Sequence, residues 1–273
     1  MAGSPYTDLD RPPLSQAALR AALVRPGSLW SALTVVDRTG STNADLADAA
    51  RAGAPEGVVL IAEAQTSGRG RMGRVWSAPA RAGLTFSMLL RPQVPLVRQG
   101  WLTLLTGLAA ASAVRRLAEV DVRLKWPNDL LVGERKLAGV LAERIDGAVV
   151  VGMGLNVSLR TAELPVERAT SLALEEGACV DRDPVLRAVL REIESHYRDW
   201  VEAEGDPEAS GLRPAYLAAC ATIGQEVRVE LPGERILGGV ATGVDRAGHL
   251  IVRAGDEEHV LSAGDVVHVR PRK

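Results

Sequence analysis

The spacing of apolar and polar positions divides this chain into short apolar runs, helical stripes and, near its end, strict alternation. Residues 14–24 predict a short helix, ended by Pro26-Gly27. Residues 30–37 and 58–63 read as strands, the second buried by its continuous apolar run. Between them, residues 44–52 predict a helix with Ser41 or Thr42 as N-cap and Gly53 just past its end. Residues 84–91 predict a further strand. Residues 99–119 predict a helix with Trp101, Leu104, Leu108, Ala111 and Val114 on one face. A strand over 122–126 stops at Pro127, and two more follow at 136–143 and 148–152 around the turn Asp146-Gly147. Asp183, with Pro184 after it, predicts the start of a helix whose stripe is Leu186, Val189, Ile193, Tyr197 and Trp200.

From Thr222 the rhythm changes. Residues 226–231 alternate as a half-buried strand does, and turn signals recur at 232–233, 245–248, 254–256 and 263–265. That spacing predicts a small barrel of about five strands, with a boundary near residue 220. Upstream, strands and helices mix without a regular βαβ rhythm. The expected class is α+β with a mixed or antiparallel sheet.

Composition narrows the possibilities. In 273 residues, 47% are hydrophobic, enough for a sizeable core. The net charge of −2 leaves no global basic footprint for nucleic acid or an anionic membrane. Cys179 and Cys220 lie in unrelated surroundings, which suggests a reducing compartment, the cytoplasm, and no disulfide frame. Residues 1–13 read as a loose tail without a signal peptide. The longest uncharged stretch, 99–114, falls short of the roughly 20 apolar residues a membrane span needs. His196, His249, His259 and His268 all lie in the last third, in no metal-ligand spacing, which argues against zinc and against Ser-His or Cys-His nucleophile systems.

The chemistry concentrates in Gly68-Arg69-Gly70-Arg71-Met72-Gly73-Arg74, three glycines and three arginines in seven residues, closed by Val75-Trp76. The glycines match G-x-G-x-x-G, but a dinucleotide loop opens a helix, whereas this one runs through Pro79 toward a strand. Kinase catalytic-loop motifs and a P-loop are missing from the sequence. Three arginines in one turn repel each other unless an anion joins them, so the segment reads as an anion-binding loop, mobile when empty. Lys125-Trp126-Pro127-Asn128-Asp129 would present Lys125, Asn128 and Asp129 at a sheet edge. Read alone, it could equally be an ordinary turn. Ser41-Thr42-Asn43 could be only a helix cap, or neutral donors and acceptors for a polar ligand head. Lys136 and Gly139 stand at a strand start, and residues 152–156 read as a glycine-bracketed turn.

Together these blocks resemble the biotin–protein ligases: Ser-Thr-Asn at 41–43, Gln65 with the arginine loop at 68–76, Lys-Trp-Pro-Asn-Asp at 125–129, Lys-Leu-Ala-Gly at 136–139 and Gly-Met-Gly-Leu-Asn at 152–156. They occur in the family's order and cover residues 35–160, the arginine loop and Lys-Trp-Pro-Asn-Asp being highly specific. The resemblance implies a catalytic domain like class II aminoacyl-tRNA synthetases over 14–220 and an SH3-like domain over 221–273. It also implies ATP-dependent formation of biotinyl-5′-AMP, then transfer to a lysine on the biotin carboxyl carrier domain of an acyl-CoA or pyruvate carboxylase. It implies that Ser41, Thr42, Asn43 and Gln65 meet the ureido ring and its surroundings. Gly68, Arg69, Gly70, Arg71, Arg74, Trp76, Gly139 and Asn156 complete the binding set. Arg71, Lys125 and Lys136 would be catalytic, Asn128 would face the adenylate, and Asp129 would hold Mg²⁺. The base for the lysine-transfer step stays open between Asp129 and simple positioning. Some family members add an N-terminal DNA-binding domain. Only 40 residues precede Ser41, so a monofunctional ligase without DNA or membrane partners, a monomer or weak homodimer, is expected. A lipoate– or octanoate–protein ligase is the nearest rival.

Overall fold

The structure, a computed structural model, describes residues 11–231, 235–262 and 264–268. Two sheets organise it. The larger has seven strands: β1 (Ala32–Val36), β2 (Val58–Ala62), β3 (Gly83–Leu90), β4 (Val122–Lys125), β5 (Asp129–Val132), β6 (Arg135–Ile145) and β7 (Ala148–Asn156). Their order is β1-β2-β3-β7-β6-β5-β4, with β1 and β2 parallel and every other pairing antiparallel. This is the mixed sheet that the irregular rhythm predicted.

Side-chain parity sorts the sheet's two faces. On β3, Phe86, Met88 and Leu90 join the main core, as do Val149, Val151, Met153 and Leu155 on β7. Helices α3 (Trp101–Ala118) and α4 (Arg182–Glu202) cover that face. Leu89, Ala148 and Val150, one residue out of phase, pack instead with Leu46 and Ala50 of α2 (Thr42–Arg51). The α2 face is apolar only that far. Farther along the same strands, its positions become Ser87 and Thr85 on β3 and Gly152, Gly154 and Asn156 on β7. The site opens at the N-terminus of α2, where the polar and glycine positions begin.

Both predicted helix stripes are buried, from Trp101 to Val114 and from Leu186 to Trp200. Two short helices complete this part, α1 (Gln16–Leu23) and α5 (Leu212–Ala219), the latter not expected from the sequence. The start of α4 differs from expectation. Asp181, not Asp183, is the N-cap, its side chain accepting from the Asp183 N–H. Residues 152–156 are not a turn but the end of β7, buried throughout. A glycine there leaves space for neighbouring side chains rather than bending the chain.

The stretch expected to be a loose tail is, in its described part, tied down. Arg11 pairs with Glu163 at 2.6 Å and donates to the Ser158 carbonyl. That guanidinium, with the Arg160 N–H, lowers the Glu163 carboxyl to about 2. Arg182, in a buried pair with Glu63, donates to the Pro12 carbonyl at 2.6 Å.

The smaller sheet has five antiparallel strands: β8 (Glu226–Leu231), β9 (Arg235–Val244), β10 (Leu250–Ala254), β11 (Glu257–Leu261) and β12 (Asp265–His268), in the order β11-β10-β9-β8-β12. The turns expected at 245–248 and 254–256 are present. The one at 232–233 lies outside the described residues, as does part of that at 263–265. This sheet seats against the first through tryptophans. Trp126 Nε1 donates to the Gly248 carbonyl and Trp101 Nε1 to the Arg246 carbonyl, both at 3.0 Å. The Trp126-Pro127 peptide is cis. Among the described residues no helix is long and apolar enough to cross a membrane.

Candidate active site

A cavity of about 410 Å³ lies on the α2 face of the large sheet, roofed by the arginine loop. At one end stands the start of α2. Ser41 holds the N-cap position, but its side chain makes no capping bond and lines the cavity instead. Thr42 and Asn43 are 2% and 4% exposed. Gln65, just beyond β2, accepts at Oε1 from the Thr42 N–H at 2.8 Å and lies 3.1 Å from Thr42 Oγ1. Thr42 Oγ1 is 2.7 Å from Ser87 Oγ, and Ser87 donates to Asn43 Oδ1 at 2.6 Å. Asn43 Nδ2 donates to Glu143 at 2.7 Å and to the Leu141 carbonyl. The result is a buried polar array with its partners in place before any ligand arrives.

The floor is made of glycines. A Cβ at Gly152 would lie 2.0 Å from Asn43 Oδ1, and one at Gly154 would lie 2.1 Å from the Trp76 ring. Neither position admits any other residue without moving its neighbour. Gly139, on β6, lies under Trp76 and Lys136 in the same way, with less crowding.

Charge gathers at the other end. Lys136 Nζ lies 2.6 Å from Asp129 Oδ1 and 5.9 Å from the centre of the Trp76 ring. Its orientation comes from a β-bulge. The β5–β6 register slips between Leu130 and Leu131, so Leu137 and Ala138 both face the core and Lys136 turns to the cavity. Simple alternation from Ala138 and Val140 would have buried it on the core side. The arginine loop is itself a tight hairpin. Trp76 N donates to the Gly68 carbonyl at 2.9 Å, Gly70 N to the Arg74 carbonyl at 2.7 Å, and Met72 and Gly73 take positive φ at the tip. Arg71 reaches across to Asn128 Oδ1 at 3.2 Å and to the Gly264 carbonyl at 3.4 Å, touching the C-terminal sheet. Beyond the loop lies a second, larger cleft of about 1070 Å³, lined in part by Met72, Val75, Leu96, Val97 and His249.

Fourteen of the sixteen residues singled out from the sequence therefore line one cavity. Two do not. Gly68 is buried at the base of the loop, where a Cβ would lie 2.4 Å from the Trp76 carbonyl. Its contribution is the hairpin's shape. Lys125 stands cross-strand from Asp129, outside the cavity wall. Asn156 lines the cavity, yet its Nδ2 is spent on the Thr170 carbonyl at 2.8 Å.

Comparison with known proteins agrees with this geometry. Residues 35–159 match the model of the biotin/lipoate A/B protein ligase family, and residues 222–269 match that of the biotin protein ligase C-terminal domain. The biotin–[acetyl-CoA-carboxylase] ligase of Mycobacterium tuberculosis is 46% identical over 271 residues, covering 97% of this chain and 100% of that protein. The chain belongs to the biotin protein ligase family. The bifunctional ligase/repressor BirA of Escherichia coli is 35% identical over 238 residues, 83% of this chain and 70% of that protein. Among solved structures, the Aquifex aeolicus biotin protein ligase in complex with biotin and ATP superposes with a TM-score of 0.72 at 29% identity, over 89% of this chain and all of that one.

In this biotin protein ligase, sequence reasoning missed several residues that line the cavity or support its wall: Gly152 and Gly154 in the lining, Ser87 and Glu143 behind it. Ser87 carried a signal, being the one hydroxyl in the apolar run 86–90. Glu143 did not, because its relation to Asn43 exists only once β6 is laid beside α2. The two β7 glycines were noticed, but as a turn.

Proposed function

We infer that the chain joins biotin to a lysine of a carrier domain in two steps. The carboxylate of biotin attacks the α-phosphorus of ATP and diphosphate leaves, giving biotinyl-5′-AMP. The acceptor amine then attacks the mixed-anhydride carbonyl, an amide forms and AMP leaves. The observation that carries this reading is the cavity's polarity: a neutral, buried hydrogen-bonding array at one end and Lys136, Asp129 and the arginine hairpin at the other. A ureido head suits the first, and a carboxylate meeting a polyphosphate needs the second. Fixed cations there offset the repulsion between two anions as the new bond forms.

In this reading Ser41, Thr42, Asn43 and Gln65 hold the head group. Trp76, resting on Gly154 and Gly139, packs beside the chain. Arg69, Arg71 and Lys136 face the phosphates, and the hairpin keeps water from the anhydride. Lys125 acts through the β4–β5 turn that carries Asn128 and Asp129, rather than from the cavity wall. Asp129 and Asn128 supply hard oxygen donors, the kind Mg²⁺ takes alongside substrate phosphates. No group of three metal-binding side chains gathers among the described residues, so the donor set fits an ion that arrives with the nucleotide. Asp129 would hold it there, and it would neutralise phosphate charge. We assign the chemistry to residues 14–220, and to 221–273 a separate C-terminal unit. The acceptor is the carrier domain of an acyl-CoA or pyruvate carboxylase, met in the cytoplasm.

The test is incubation with labelled biotin, ATP, Mg²⁺ and a carrier-domain acceptor. Release of diphosphate and label fixed on the acceptor lysine are expected. Absence of diphosphate release, or an AMP adduct formed with octanoate or lipoate instead of biotin, would overturn the reading.

A further inference from the structure

We propose that Ser87 and Glu143, neither of which lines the 410 Å³ cavity, are positioning residues that set the hydrogen-bonding polarity of Thr42 and thereby select a ligand carrying an N–H donor. The inference rests on the biotin reading above and extends it to residues outside the cavity wall.

The argument follows the protons. Asn43 Nδ2 faces two acceptors, a Glu143 carboxylate oxygen at 2.7 Å and the Leu141 carbonyl at 3.3 Å. Turning the amide over would set its oxygen against both, so Glu143 holds Asn43 with Oδ1 toward Ser87. Oδ1 can only accept. The single proton of Ser87, a fully buried residue, is therefore committed to Asn43 at 2.6 Å. Ser87 then presents only a lone pair to Thr42 Oγ1 at 2.7 Å. The other neighbour of that hydroxyl is Gln65 Oε1, at 3.1 Å. Both protein neighbours are acceptors, so the Thr42 proton points inward to one of them. What Thr42 offers the cavity is a lone pair. An N–H of the ligand satisfies it, and an oxygen or an alkylated nitrogen in that place does not. Leaving such a buried group unpaired is what makes polar pockets selective.

Glu143 thus governs Thr42 through two intervening side chains. Remove its carboxylate and only the longer Leu141 contact holds the Asn43 amide; once that amide turns, the Ser87 proton swings to Thr42, takes up one of its lone pairs and leaves Gln65 Oε1 as the one inward acceptor for the Thr42 proton.

Biotin-dependent diphosphate–ATP exchange tests this, with biotin and with the two analogues methylated at one or the other ureido nitrogen. Wild-type exchange with biotin reads the functional assignment by itself, and its absence overturns both. Given exchange, wild type should disfavour one methylated analogue by about 30-fold or more, the scale of a lost buried hydrogen bond with its unpaired partner. Glu143→Ala should raise KM for biotin about tenfold, with the change concentrated in KM rather than kcat, and narrow the discrimination between analogues. Glu143→Gln, whose amide oxygen still accepts from Asn43, should restore both. Ser87→Ala interrupts the line, so adding Glu143→Ala to it should bring little further change. Unchanged discrimination in Glu143→Ala, no rescue by Gln, or strict additivity of Ser87→Ala and Glu143→Ala would each overturn the proposal.

Discussion

At the α2 end of the cavity, Thr42 and Asn43 are almost wholly buried, and their side chains and Gln65 bond to one another, to Ser87 and to Glu143. At the opposite end, Met72 and Val75 are 67% and 77% exposed, and Arg69 and Arg74 also face solvent. One end is a fixed template, assembled with the core and paid for during folding. The other is a two-stranded hairpin anchored by a few bonds at its base and by Arg71. Binding order can therefore be built into the architecture. In the proposed reading a small polar head would find a prepared seat, while the polyphosphate would meet a segment more exposed and less tightly bonded.

The strongest way to break this contrast is Gly152→Ala. Its Cβ would stand 2.0 Å from Asn43 Oδ1, so the template itself must shift. Exchange activity should fall by about 100-fold or more, with overpacking costing about 1–3 kcal/mol of stability. Diphosphate exchange and thermal melting measure the two effects, and wild-type exchange would mean the template is not rigid. Next comes Arg71→Ala at the adjustable end. It should lower adenylate formation by about 3 kcal/mol, as loss of one electrostatic stabiliser does, while leaving the melting midpoint nearly unchanged. A large fall in melting temperature would instead assign Arg71 to the seat of the C-terminal sheet.

The two ends should also differ in mobility. Protease should cut within residues 67–76 of the ligand-free protein and spare α2, and biotin with ATP should slow that cleavage several-fold. Equal cleavage with and without ligands would remove the ordering role of the hairpin. The smallest effect lies where the end of β4 meets the second sheet. There Thr222 Oγ1 accepts from the Trp126 N–H and lies 3.1 Å from His268 Nε2. Burial, with Lys125 nearby, lowers the His268 pKa. A neutral folded imidazole means that the unfolded chain binds more protons as pH drops below about 6.5. Stability from this group is present above that value and is lost as pH falls through the lowered folded one. His268→Gln should flatten this part of the melting-versus-pH curve between about pH 7 and 5. An unchanged slope would exclude His268 as its source.

Much of this was legible without coordinates. Helix stripes such as Trp101 to Val114 and Leu186 to Trp200 follow from a 3.6-residue period that only burial satisfies. The arginine loop stood out because so many like charges in one glycine-rich turn repel one another; that it folds as a hairpin over the cavity came from the structure. The hairpin strand β5 was missed because Pro127-Asn128-Asp129 carries turn residues right up to its start. The helix α5 was missed because eight residues give too short a periodic signal.

Local chemistry in the chain picked out residue types that line one cavity, cations and amides together. Tertiary structure decided which way they face. Lys136 reaches the cavity only because a bulge adds Leu137 to the core side of β6. Glu143 matters to Thr42 only because α2, β3 and β6, remote in sequence, converge on one face. Periodicity carries a side chain's direction only while a strand stays regular, and a hydrogen-bond chain across three elements has no linear signature at all.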